Sequence, residues 1–455
     1  MKKIEKRTFV CLALTLALLL GLGLFVLRFF LYGGNWVCFA ANRHLYNANG
    51  SLNVGRVLDR DGDVLSWVDE SGRRRYCDNA AVRRATLHAV GDPSGSIGTG
   101  ALVAFADRMS GYNILTGADN PFGQGRDLCL TLDARLNNIA CQAMNGKKGA
   151  VGVYNYKTGE ILCMVSAPAF DPADPPVIEE GDSRYEGVYL NRFLSGTFTP
   201  GSVFKTVTLT AAIENIPDLF SRSFTCTGST TVGGEEITCP YAHGDMDISA
   251  ALANSCNGVF AQLATELGPD ILSKYVKQAG LLDSCSVDGI PTAKGSFDLS
   301  GAAAGEIGWS GVGQYNDLVN PCAVMVWMGA IANQGKAAVP YLILKTEGGL
   351  PSLPHFTRQT GRLIDADTAQ AVGDMMANNV RQTYGSANFP NMDICAKSGT
   401  AEVGGGKQPN ALFAGFLRNA DAPYAFVVVL EEGGSGVIAA SGAAAQVLDA
   451  LVNGS

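Results

Sequence analysis

Apolar residues dominate the N-terminus of the chain, where Phe9 to Leu27 contains no charged residue. A run of roughly 20 apolar residues matches the hydrocarbon thickness of a bilayer. Lysine and arginine precede the run, so the positive-inside rule predicts a cytoplasmic tail over 1–7, a transmembrane helix over 8–31 and export of the remainder. A cleaved signal peptide is the alternative, which is disfavoured because the run exceeds the usual h-region of about 7–15 residues.

Short strand-like runs separated by turn residues fill the next region, 32–130. In the segment from Arg56 to Leu65, Asp61-Gly62 predicts a chain reversal between two strands. About 100 residues are too few to hold a second large catalytic domain beside their own core. We therefore predict a small, extended pedestal domain.

From residue 131 onward the pattern becomes that of a larger globular domain, 131–455. An apolar strand from Leu128 leads into a helix for which Asp133 is the predicted N-cap. Further strands are predicted at 149–156, 161–166, 411–417 and 424–430, and further helices at 202–214, 249–267, 321–334 and 444–452. Strands at both ends around a helical middle predict an α+β domain whose sheet is completed by both ends of its sequence.

Composition and charge narrow the class of protein. The chain has 455 residues, of which 47% are hydrophobic and 17% charged, so it can bury at least one large core. A net charge of -8 excludes nucleic acid as a partner, because phosphate binding needs a concentration of lysine and arginine.

Twelve cysteines are present, and most of them lie singly in apolar segments, as small buried side chains do. Cys226 and Cys239 bracket a loop rich in turn residues, where a disulfide and two free thiols both remain open. No C-x-x-C pair exists and the four histidines are scattered, so no zinc site is expected.

Candidate chemistry begins at Ser202. Pro200-Gly201 predicts a turn that places Ser202 in the first turn of an apolar helix, where free backbone N–H groups and the helix dipole favour negative charge. Lys205 follows at i+3, on the same face and within reach of the hydroxyl. A neutral lysine can take the serine proton, which requires burial and a second cation to lower its pKa from about 10.4. The same spacing also occurs at ordinary helix starts.

Two later segments add polar groups. Ser255 and Asn257 precede an apolar helix and can point the same way from an irregular turn, although they also suit an ordinary cap. Lys397-Ser398-Gly399-Thr400 predicts an edge strand in which Gly399 leaves room for a substrate backbone, although it is also compatible with a loop.

The order and separation of S-x-x-K, S-x-N and K-S-G resemble the active-site signature of penicillin-binding proteins and serine β-lactamases. Flanking segments such as Gly55 to Gly62 are similar to class B, monofunctional penicillin-binding proteins of the short division or elongation type. The resemblance implies a serine β-lactamase/transpeptidase-like domain, with an antiparallel sheet flanked by helices, beside the pedestal. Lys-Ser-Gly instead of the commoner Lys-Thr-Gly is a departure that removes no required group.

Carried onto this sequence, the resemblance implies a peptidoglycan D,D-transpeptidase. Ser202 would attack the penultimate D-Ala carbonyl of a D-Ala-D-Ala stem peptide, and Lys205 would accept its proton. Ser255 would relay a proton to the departing amine, and Asn257 would hold the donor amide.

The same resemblance implies a binding strand for the substrate carboxylate. Lys397 would supply the protonated cation of the site, with the hydroxyls of Ser398 and Thr400 beside it and Gly399 between them. The backbone N–H groups of Ser202 and Thr400 would form the oxyanion hole.

The resemblance also implies β-lactams as inhibitors, no metal and no cofactor. It implies a single-pass protein of the bacterial cell membrane with its catalytic domain outside, and a separate membrane glycosyltransferase as partner. Division, elongation and sporulation roles are equally compatible with it. The alternatives are a β-lactamase, a β-lactam sensor of related fold and a non-catalytic scaffold for wall synthesis. Glu186 to Asn191 resembles the deacylating element of class A β-lactamases but precedes the nucleophile.

Overall fold

The computed structural model describes residues 2–37, 55–110, 125–348 and 356–454. The α-helices of this part of the chain are α1 (Lys2–Val37), α2 (Ala80–Ala85), α3 (Leu87–Val90), α4 (Ala101–Ala104), α5 (Ala106–Met109), α6 (Ala134–Ala143), α7 (Arg192–Ser195), α8 (Lys205–Asn215), α9 (Ile248–Ala253), α10 (Asn257–Gln278), α11 (Ala304–Val312), α12 (Pro321–Ala332), α13 (Ala366–Asn379) and α14 (Ser441–Val452). The strands are β1 (Val57–Leu58), β2 (Val64–Val68), β3 (Arg74–Tyr76), β4 (Asp127–Leu130), β5 (Gly149–Asn155), β6 (Ile161–Ala167), β7 (Phe224–Cys226), β8 (Ser229–Val232), β9 (Glu235–Thr238), β10 (Gly244–Met246), β11 (Ser286–Val287), β12 (Ile290–Pro291), β13 (Ile343–Glu347), β14 (Ile394–Ala401), β15 (Asn410–Leu417) and β16 (Tyr424–Leu430).

The N-terminal helix α1 contains a segment, Ile4–Phe29, that is long and apolar enough to cross a membrane. Most of its leucine and phenylalanine side chains are exposed along the segment. The predicted span, 8–31, lies inside α1, which extends beyond it at both ends.

The first sheet is mixed and has the strand order β13-β4-β1-β2-β3. β1 and β2 pair antiparallel around the predicted Asp61-Gly62 reversal, with Val57 opposite Ser66. β4 runs parallel to β1 and antiparallel to β13. Because β13 comes from far along the chain, the ladder crosses the predicted boundary at residue 130, and the pedestal sheet is completed by the larger domain.

The second sheet is antiparallel throughout, with the strand order β14-β15-β16-β5-β6. β5 and β6 form the predicted hairpin, and β15 and β16 match the strands predicted near the C-terminus. β16 pairs with β5, Val428 opposite Val151, so both ends of the domain complete one sheet. The predicted α+β fold is confirmed.

Helices cover both faces of this second sheet. Val427 and Val429 of β16 point into a core that also contains residues of α8, α10 and α12. Phe426 and Val428, which alternate with them, point into a core with α6 and α14. The sheet is therefore buried on both sides, and its strands read as nearly continuous apolar runs.

Two helix predictions need correction near the site. The predicted helix 202–214 begins as a 3-10 turn, Gly201–Phe204, and becomes α-helical only at α8. The predicted helix 249–267 is two helices, α9 and α10, because Ser255 between them has a left-handed φ of +54°. That conformation cannot continue an α-helix.

Candidate active site

The turn that carries Ser202 is held by two close backbone approaches. Gly201 has a φ of +52°, and its amide donates to the Gly313 carbonyl oxygen at 2.8 Å. A Cβ on Gly313 would lie 2.1 Å from the Gly201 oxygen. Glycine is thus required at both positions, and the tight turn leaves Ser202 at a cleft while Lys205 is fully buried at the start of α8.

Lys205 reaches the turn between α9 and α10. Its Nζ lies 2.5 Å from the Ser255 carbonyl oxygen, 3.2 Å from Ser255 Oγ and 2.8 Å from Asn257 Oδ1. A neutral amine satisfies this arrangement by donating to the two carbonyl oxygens and accepting the Ser255 hydroxyl proton. These contacts hold Ser255 in its left-handed conformation, which is costly for a residue other than glycine. The contacts of Lys205 Nζ are thus with Ser255 and Asn257 instead of with Ser202.

The edge strand β14 supplies a second amine, as predicted. Lys397 Nζ donates to Ser255 Oγ at 3.0 Å and to the Ser398 carbonyl oxygen at 2.9 Å. Like Lys205, Lys397 has no exposed surface. The Ser255 hydroxyl therefore lies between two buried amines that come from distant parts of the sequence.

Burial lowers the pKa of both amines. Loss of hydration lowers the pKa of Lys205 to about 7. Burial lowers the pKa of Lys397 well below its ordinary value, and the neighbouring Lys205 lowers it further. Burial thus disfavours the protonated form of Lys397 as well, although the resemblance implies that Lys397 is the protonated cation of the site. Two amines so close together cannot both stay protonated near neutral pH, so one of them is available as a base.

The cleft above these amines has a volume of about 1030 Å³. All of the predicted site residues meet in this region. Those that line the cleft are Ser202, Ser255, Asn257, Ser398 and Thr400.

The turn that carries Ser202 occupies the space beside Gly399. A Cβ on Gly399 would lie 2.9 Å from the Pro200 carbonyl oxygen and 3.2 Å from a methyl group of Val203. The glycine thus lets β14 pack against the turn that carries Ser202. The expected reason for a glycine here was room for a substrate backbone.

Sequence reasoning missed Tyr384, which positions the binding strand. The phenolic oxygen of Tyr384 accepts the Ser398 backbone N–H at 2.9 Å and lies 3.1 Å from Ser398 Oγ. The neighbouring Thr383 hydroxyl donates to the Ala253 carbonyl oxygen at the end of α9. This π-helical turn, Val380–Tyr384, connects two of the three motif segments, and no motif in the sequence marks it.

Glu186, the candidate deacylating residue, lies elsewhere. It forms an ion pair with Lys148, at 2.6 Å, and most of its side chain is exposed. The described residues that line the cleft do not include it.

Four potential metal ligands converge beside the cleft, which corrects the prediction that the chain has no zinc site. The ligand atoms of Cys226, Cys239, His243 and Cys256 all lie within 4.8 Å of one another. Cys226 and Cys239 are free thiols in the structure and do not form the disulfide that was left open. The cluster was missed because its members, although they all lie within 226–256, follow no C-x-x-C spacing.

Comparisons with known proteins agree with this geometry. A model of the penicillin binding protein transpeptidase domain matches residues 149–452. Peptidoglycan D,D-transpeptidase PbpA of Mycolicibacterium smegmatis is 29% identical over 367 residues, which cover 75% of this chain and 73% of that protein. The imipenem acyl-enzyme complex of penicillin-binding protein A from Mycobacterium tuberculosis has a TM-score of 0.77 at 23% identity, covering 88% of this chain and 99% of that one. The D,D-transpeptidase domain of a peptidoglycan glycosyltransferase from Eggerthella lenta has a TM-score of 0.75 at 25% identity, covering 88% and 98%.

Proposed function

Because the chain belongs to the penicillin-binding protein transpeptidase family, we propose that it is a class B peptidoglycan D,D-transpeptidase with Ser202 as its nucleophile. The observation that carries the proposal is the Ser255 hydroxyl, which lies between Lys205 and Lys397 beneath the cleft that Ser202 lines. A relative of similar architecture, PbpA of M. smegmatis, carries the name of this activity.

In the proposed acylation, Ser202 Oγ attacks the carbonyl carbon of the penultimate D-Ala of a stem peptide. The new bond joins Oγ to that carbon, and the hydroxyl proton passes to the neutral amine of Lys205. The backbone N–H groups of Ser202 and Thr400 stabilise the oxyanion, and loss of one such donor typically costs about 10²–10³ in rate.

The leaving group then needs a proton. Ser255 Oγ is 3.2 Å from Lys205 Nζ, so it can pass the proton from Lys205 to the nitrogen of the terminal D-Ala as the carbon–nitrogen bond breaks. The amine nitrogen of a neighbouring stem peptide then attacks the acyl carbon, and the bond between that carbon and Ser202 Oγ breaks. The neutral Lys205 takes the proton of the attacking amine and returns it to Oγ, which leaves the two stem peptides cross-linked.

The substrate carboxylate binds along β14 in this proposal. The hydroxyls of Ser398 and Thr400 face the cleft, and Lys397 lies beneath them. A bound carboxylate favours the protonated form of Lys397, and this second positive charge favours the neutral form of Lys205. Substrate binding itself thus favours a protonated Lys397 beside a neutral Lys205.

Asn257 has a double role in the proposal. Its Oδ1 accepts from Lys205, and its Nδ2 donates to the Thr238 carbonyl oxygen at 2.8 Å. A carboxamide has two N–H donors, so the second is available for the carbonyl oxygen of the donor peptide's amide.

Covalent labelling with a fluorescent penicillin tests the nucleophile. β-Lactams mimic the donor and trap the acyl-enzyme, so we expect one adduct per chain, located on Ser202 by peptide mass mapping. Ser202→Ala should lose the label completely, whereas Ser221→Ala, a change at an exposed serine outside the cleft, should keep it. An adduct on another residue would contradict the proposal.

The same label separates the alternatives. Slow release of the adduct indicates a transpeptidase, and rapid turnover indicates a β-lactamase. A scaffold without catalysis stays unlabelled. Glu186 pairs with Lys148 and does not line the cleft, so it is not placed to activate water for deacylation. We therefore expect slow release of the penicillin adduct.

The proposal includes a place for the enzyme in the cell. α1 anchors it in the bacterial cell membrane as a single span, with the catalytic domain on the outer side, because the basic residues precede the apolar segment. A separate membrane glycosyltransferase supplies the glycan strands in this proposal, as the resemblance to class B penicillin-binding proteins implies.

A further inference from the structure

We propose that Cys226, Cys239, His243 and Cys256 form a zinc site that fixes the turn carrying Ser255 and Asn257. The site is distinct from the acylation chemistry, since none of its four ligands is a reacting group. The proposal that these residues bind zinc is independent of the proposed function, whereas the proposed effect of zinc on acylation rests on that function.

The interatomic distances fit tetrahedral coordination. Two sulfurs bound to one tetrahedral zinc at about 2.3 Å each lie about 3.8 Å apart. Cys239 Sγ and Cys256 Sγ are 3.8 Å apart. His243 Nδ1 is 3.3 Å from Cys226 Sγ, close to the edge of about 3.5 Å expected between a nitrogen and a sulfur ligand. Both pairs of ligands are therefore already at the separations that one ion imposes.

The chemistry of the four ligands favours zinc. Three thiolates and one imidazole form a closed set with no position left for water, which is typical of a structural zinc site. Soft thiolate ligands disfavour magnesium and calcium, which prefer oxygen. The other ring nitrogen of His243, Nε2, is buried with no hydrogen-bond partner among the described residues, and the ring packs edge-on against Tyr241 at 4.6 Å between ring centroids.

The ligands come from two short two-stranded sheets and from the turn before α10. Cys226 ends β7, Cys239 follows β9, and His243 precedes β10. β7 pairs only with β10 in the described structure, and β8 pairs only with β9. Two-stranded sheets of this kind are marginally stable by themselves. One ion would join both of them to the start of α10.

Cys256 links the ion to the reacting groups, because it stands between Ser255 and Asn257. The backbone N–H of Asn257 donates to Cys239 Sγ at 3.2 Å, so a second ligand also contacts this turn. Bound zinc would thus restrain the turn that carries the left-handed Ser255, in addition to the contacts that Lys205 makes with it. Loss of the ion is expected to loosen the relay between Lys205 and the leaving group.

Metal analysis of the full-length protein in detergent tests the site directly. Under reducing conditions with a buffered zinc supply, we expect about one zinc per chain by inductively coupled plasma mass spectrometry. Cobalt should replace it and give the thiolate-to-metal charge-transfer absorption of a tetrahedral site. Cys226→Ser and His243→Ala should weaken zinc affinity by at least about tenfold, whereas Cys77→Ser, at a thiol in the pedestal, should not.

Two results would overturn the site. One is the absence of bound zinc in the reduced wild-type protein, which requires no variant to fold. The other is a disulfide between any two of Cys226, Cys239 and Cys256 in protein isolated without reductant, found by non-reducing peptide mapping.

Chelation tests the link to acylation. Removal of zinc from the wild-type protein should slow labelling by fluorescent penicillin at least about tenfold, and restored zinc should return the rate. An unchanged rate would overturn the positioning role. Zinc-loaded protein that is never acylated on Ser202 would instead contradict the proposed function and leave the metal site intact.

Discussion

Ser255 has a single hydroxyl that must serve two amines. Its Oγ accepts from Lys397 and is close enough to Lys205 to exchange a proton with it. The direction of that hydrogen bond depends on which amine is neutral. The protonation state of the pair thus sets whether Lys205 can act as a base.

Acylation should therefore depend on pH through Lys205. Burial lowers the pKa of Lys205 to about 7, and only the neutral amine can accept the proton of Ser202. We expect the labelling rate to rise about tenfold per pH unit up to about pH 7 and to level off above it. Stopped-flow labelling between about pH 5 and about pH 9, with zinc content followed in parallel, measures this.

The control for this profile is Lys205→Arg. A guanidinium stays protonated throughout this range, so the variant should label very slowly at every pH. The groups around Lys205 are Lys397, the thiols of Cys256 and Cys239, and the ring of Phe260 at 5.5 Å. A wild-type rate that does not change with pH would contradict the assignment of Lys205 as base.

At the scale of elements, the site is built by three segments that pack through glycine. β14 approaches the Ser202 turn at Gly399, and the end of α11 approaches it at Gly313, which has a φ of +86°. The nucleophile's position is thus set by neighbouring backbone and not by its own side-chain contacts.

Gly313→Ala should therefore displace the nucleophile. A Cβ there would meet the Gly201 oxygen at 2.1 Å, and a non-glycine residue in this left-handed conformation costs about 1–2 kcal/mol. We expect a lower unfolding temperature and a labelling rate reduced by at least about tenfold, because Ser202 must move with Gly201.

Gly361→Ala is the matched control, since its Cβ would meet no atom within 4 Å. It should change neither the unfolding temperature nor the labelling rate. Normal labelling by Gly313→Ala would show that the close approach does not position Ser202.

The elements also show what a sequence can predict. Hydrophobic patterning located β5, β6, β15 and β16 because each strand is a continuous apolar run with turn residues at its ends. The same patterning predicted one helix where α9 and α10 are separate, because the spacing of apolar residues does not reveal the left-handed φ of Ser255.

Side-chain convergence was predictable only where a motif existed. Ser202, Lys205, Ser255, Asn257 and Lys397 belong to a known signature and meet as expected. Tyr384 and the cysteine–histidine cluster carry no such signature, since their partners lie in other segments and are set by tertiary packing.

At the scale of the whole molecule, α1 stands apart from the folded body through its exposed apolar surface. Deletion of residues 1–37 should release the protein from the membrane into the soluble fraction after carbonate extraction. The labelling rate should remain within about twofold of the full-length rate, since the cleft contains no residue of α1.

Fractionation followed by penicillin labelling checks both outcomes. Full-length protein, which should stay in the membrane pellet, is the control. A truncated protein that still sediments with membranes would contradict the role of α1 as the sole anchor.

The pedestal and the larger domain are joined by more than the chain between them. Residues of the first sheet, such as Leu65, share a hydrophobic core with residues of the second, such as Tyr154. Arg83 of α2 forms an ion pair with Asp171 at 2.6 Å, and both side chains are mostly buried. The two regions therefore share a hydrophobic core and a mostly buried ion pair.

The late arrival of β13 constrains how a newly made chain can fold. β4 cannot pair with β13, nor β5 with β16, until the final third of the polypeptide has been synthesised. Until then, one edge of β4 and one edge of β5 lack their partner strands. Such long-range pairings close slowly, and unpaired edges are templates for aggregation. A product that ends before β13 would present both unpaired strands, β4 and β5, at once, and we expect it to be bound by proteases and holding chaperones.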